Sequence, residues 1–91
     1  MTADPGAAIR AATDAAQRAA GVIAARRRGD DAGAEALLES FPDEGAKAGA
    51  FFVLADLAIA LLASASNQST DEVVQDLTIL LAANATVPDQ R

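Results

Sequence analysis

Residues 48 to 65, AGAFFVLADLAIALLASA, run for eighteen positions with a single charge, Asp56, near the centre. A helix made from such a run is apolar on every side, and an element of that kind has to be covered all round, by a core, a partner subunit or a membrane. The rest of a 91-residue chain offers little with which to cover it. Chains of this length bury a smaller fraction of their surface than longer ones and are only marginally stable alone. The run therefore predicts a helical protein whose core is completed by oligomerisation.

The material available for that core is thin. Hydrophobic residues make up 52% of the sequence, but 25 of them are alanines, which favour helix and bury little area each. With three Phe, no Trp and no Tyr, packing rests on Leu, Ile, Val and close Ala contacts. The absence of Cys and His removes zinc sites of the usual kind, thiolate nucleophiles, Ser-His-Asp triads and disulfides. Carboxylate chemistry is what remains, and it needs paired acids in a sheltered pocket. Asp56 is the one acid placed where burial is conceivable, as a possible buried polar group, and the sequence gives it no obvious catalytic company. The expectation is a protein that is not an enzyme, with no catalytic, cofactor or metal site.

Charge is distributed unevenly. Residues 1 to 28 hold five Arg against Asp4 and Asp14, whereas residues 29 to 91 hold Lys47 and Arg91 against eleven acids, for a net charge of −6. An acidic body of this kind argues against nucleic acid as a partner, since the phosphate backbone calls for a basic patch. Arg26, Arg27 and Arg28 form the one basic cluster. Three cations at the end of a helix complement its negative pole, just before Gly29 terminates it.

The pattern along the chain predicts one all-α domain over 1–91, a small bundle of about four helices near 5–28, 31–41, 43–66 and 70–85, with a frayed tail at 86–91. Asp4-Pro5 is a cap followed by Pro at the first helical position. In the first helix, Ile9, Ala12, Ala16, Ala19 and Ile23 recur at spacings of three and four, a seam of mostly small residues. Asp30 or Asp31 caps a short second helix with Ala34, Leu37, Leu38 and Phe41 on one face, closed by Pro42. Asp43 and Glu44 open the long third helix. Ser69 and Glu72 have the spacing of a capping box at the start of the fourth, where Val73, Val74, Leu77, Leu80, Leu81 and Asn84 follow a helical face. Ile79 falls on its polar side.

The residues predicted to meet another chain are Phe51, Phe52, Leu54, Leu57, Ala58, Leu61 and Leu62 on the third helix, with Leu77 and Leu81 on the fourth. A bilayer is the competing destination, because the run is long enough to cross one. Against it, an Asp at mid-depth costs about 2.5 to 3.5 kcal/mol on insertion scales. No aromatic belt flanks the run, and the first 28 residues contain no apolar signal segment. The sequence thus favours a cytoplasmic homo-oligomer over a membrane span. Asn67-Gln68-Ser69 and Asn84-Ala85-Thr86 fit the glycosylation pattern, but without a secretory signal they carry no weight.

Two segments, AARRRGDDAGAEALLESF at 24–41 and STDEVVQDLTIL at 69–80, resemble, in the same order, the opening helices of region 2 in extracytoplasmic-function sigma factors. The helix between them lacks that family's basic and aromatic character, so no binding residues are carried over. The composition, rich in Ala, Arg, Gly and Asp, is similar to that of short Ala-rich helical proteins of high-GC bacteria and their phages. The functional expectation is a protein-protein interaction module acting as a homodimer or higher oligomer, with an unknown protein partner. The alternatives are a regulatory adaptor or inhibitor, phage-encoded in one version, aimed at host transcription or cell-envelope machinery, and a small membrane-inserted helical protein.

Overall fold

The computed structural model describes residues 4–85, so the tail predicted at 86–91 lies outside the described residues. The fold is all-α, with helices α1 (Pro5–Arg27), α2 (Asp31–Glu39), α3 (Glu44–Ser66) and α4 (Thr70–Ala85), and no strand among the described residues.

Each helix begins at a side-chain cap that the sequence makes visible. The Asp4 carboxylate accepts from the Gly6 N–H at 2.9 Å, Asp30 from Gly33 at 2.9 Å, and Asp43 from Ala46 at 2.7 Å. At α4 the capping box is closed in both directions: Ser69 Oγ accepts from the Glu72 N–H at 3.1 Å, and Glu72 Oε1 accepts from the Ser69 N–H at 2.8 Å. Such caps satisfy amides that have no partner inside the helix.

The ends of α1 and α3 use one device with two different residues. Gly29 at φ 81° and Asn67 at φ 63° take up the left-handed conformation that turns the chain out of the helix. The next amide then reaches back, Asp30 N–H to the Ala25 carbonyl at 2.8 Å and Gln68 N–H to the Ala63 carbonyl at 2.9 Å. Helix α2 stops at Glu39, short of the predicted 41. Phe41 precedes Pro42, whose ring disfavours helical geometry in the residue before it, and Ser40 Oγ donates to the Leu37 carbonyl at 2.5 Å.

The chain divides into two compact units, Met1–Asp56 and Leu57–Arg91, with α3 running through the division. In the N-terminal unit α1 and α2 are a closely packed pair. The buried residues of α1 are Ala16, Ala19, Val22 and Ala25, at a constant spacing of three. A row of that spacing is inclined to the helix axis, so the contact line swings round α1 by about 60° every three residues. This corrects the predicted seam: Ala16 and Ala19 belong to the contact, while Ile9 and Ile23 are exposed. Two small clusters form the core. Ala19, Phe41 and Ala50 pack with Ala15, Phe51 and Leu54, and Val22, Ala25 and Ala34 pack with Leu37, Leu38 and Phe51. Phe51 joins the two, its ring centroid 6.4 Å from that of Phe41, and the Arg18 guanidinium lies 5.6 Å from the Phe41 centroid.

The C-terminal unit, a helical hairpin made of the end of α3 and α4, buries far less. Its buried side chains are Ala63 and Val73, with Ile59, Gln68 and Leu77 half-buried. Its turn is tied by Gln68 Nε2, which donates to the Asp76 carboxylate at 3.1 Å.

Candidate association surface

The large apolar side chains left uncovered are concentrated in the second half of the chain. Leu57, Leu61, Leu62, Val74, Ile79, Leu80 and Leu81 are all exposed, Leu61 by 73% and Leu81 by 67%, and Phe52 is exposed by 70%. The expectation that an all-apolar helix must be covered is therefore not met within one chain. In the most apolar eighteen-residue stretch of α3, with a mean hydropathy of 2.1, 11% of the residues are buried. The physical reason is local. Ala50 is fully packed and Phe51 and Leu54 partly so against the N-terminal unit's clusters, and past Leu54 the sequence supplies only Ala63 as a buried α3 residue.

The residues singled out from the sequence accordingly separate into two groups. Phe51 and Leu54 pack in the chain's own core and Leu77 is half-buried. Phe52, Leu57, Ala58, Leu61, Leu62 and Leu81 are exposed, and Val74 and Leu80, which periodicity places on one helical face with Val73 and Leu77, join them. The signal that could have found those two is arithmetic in kind: a hairpin of two helices has only one internal seam, and Val73 already occupies it.

Asp56 is exposed, and no charged or polar side chain is buried among the described residues. The ion pairs are likewise surface features, each with at least one partner more than half exposed. Arg26 approaches Asp31 at 3.7 Å and Glu35 at 3.5 Å, and Arg28 approaches Asp30 at 3.6 Å. The basic end of α1 thus faces the acidic start of α2, and each exposed pair contributes little, about 0 to 1 kcal/mol. Open grooves lie among the described residues of the N-terminal unit. One, of about 620 Å³, is lined in part by Glu35, Glu39, Asp43 and Glu44, and another, of about 340 Å³, by small residues including Ala12, Ala15, Gly49 and Ala50. No group of three or more His, Cys, Asp or Glu side chains that could hold a metal ion occurs among the described residues.

Comparison with known proteins adds no relative: no family model, no curated protein and no solved structure matches the chain.

Proposed function

We propose that the chain is a non-enzymatic helical interaction module, cytoplasmic and self-associating, that works by presenting the apolar surface of α3 and α4 to protein. The observation that carries this reading is the set of uncovered large side chains of the C-terminal unit, from Leu57 to Leu81. A monomeric soluble protein rarely leaves contiguous apolar patches larger than a few hundred Å² in water, and larger ones mark interaction sites. Most soluble oligomers are homo-oligomers, and a second copy of the chain is the cover this reading assigns. The acidic residues around it, Asp56, Asp71, Glu72 and Asp76, steer encounters towards basic partners and away from nucleic acid.

Light scattering behind size-exclusion chromatography, without detergent and over a wide concentration range, tests the proposal. A concentration-dependent dimer or larger species supports it, and a monomer at every concentration overturns it. One observation favours a second reading: α3 is long and apolar enough to cross a membrane. A chain that stays in solution only with detergent would select that reading instead.

A further inference from the structure

We draw no further inference here: the strongest candidate, the exposed apolar surface of the C-terminal hairpin of α3 and α4, carries nothing beyond the proposed function because nothing in the structure shows what covers it.

Discussion

The two units solve the same problem, a shortage of large apolar side chains, in opposite ways. The N-terminal unit covers most of what it has, leaving Ile9, Ile23 and Phe52 exposed. Ala16, Ala19, Ala25 and Ala34 let helices approach closely, and Phe41 and Phe51 fill the remaining space. The C-terminal unit holds most of the leucines and covers few of them, with Ala63 and Val73 buried and Leu61 and Leu81 facing outward. Burial in a small protein follows from how many elements surround a residue more than from how hydrophobic it is. A residue in a packed cluster has neighbours on every side, whereas a two-helix hairpin offers one seam and leaves the rest to solvent or a partner.

The contrast can be broken most sharply at Phe41. Phe41→Ala removes the ring beside Phe51 and beneath Arg18 and is expected to cost about 3 to 4 kcal/mol, read as a lower urea midpoint by circular dichroism. A change under about 1 kcal/mol would mean that the N-terminal clusters are not what holds that unit. Enlarging an alanine comes next. Ala34→Leu forces a branched side chain into a site with no free space, and overpacking of this kind costs about 2 kcal/mol. Leu61→Ala, by comparison, is expected to leave the chain's own stability nearly unchanged and to weaken association. The reverse ranking of these two variants in thermal melts at low concentration would invert the comparison.

Within the hairpin, Val73→Ala removes the one large side chain that is fully buried among the described residues. It is expected to cost roughly 1 to 2 kcal/mol, seen as faster amide hydrogen exchange along α4 while α1 keeps its protection. Ser69→Ala opens the capping box and is expected to cost about 1 kcal/mol, with Ser69→Asp restoring most of it. The smallest effect belongs to Arg26→Ala, under about 0.5 kcal/mol, because both of its carboxylate partners are in water.

Much of this architecture is legible in the sequence because its signals are local. Asp4, Asp30, Asp43 and Ser69 announce helix starts, and Gly29 announces an end, through hydrogen bonds made within a few residues of the chain itself. The orientation of the helices' packed sides is not local. Ile9 and Ile23 fit a helical seam as well as Val22 and Ala25 do, and only the angle at which α2 crosses α1 decides between them. On α3 periodicity is silent for a different reason: with apolar residues all round, no direction stands out, and burial at Phe51 and exposure at Phe52 follow from what lies alongside. Which side chains on α3 and α4 are exposed was accordingly not readable residue by residue.

The alanine-built contact between α1 and α2 also sets how the N-terminal unit responds to temperature. Alanine has no side-chain torsion to immobilise, so forming that contact costs backbone entropy but almost none from side chains. It also hides little hydrocarbon from water, and the heat capacity of unfolding scales with the apolar area exposed. The N-terminal unit therefore has a shallow stability curve, one that changes slowly between cold and warmth, whereas an assembly that buries the leucines of α3 and α4 steepens with every side chain it covers.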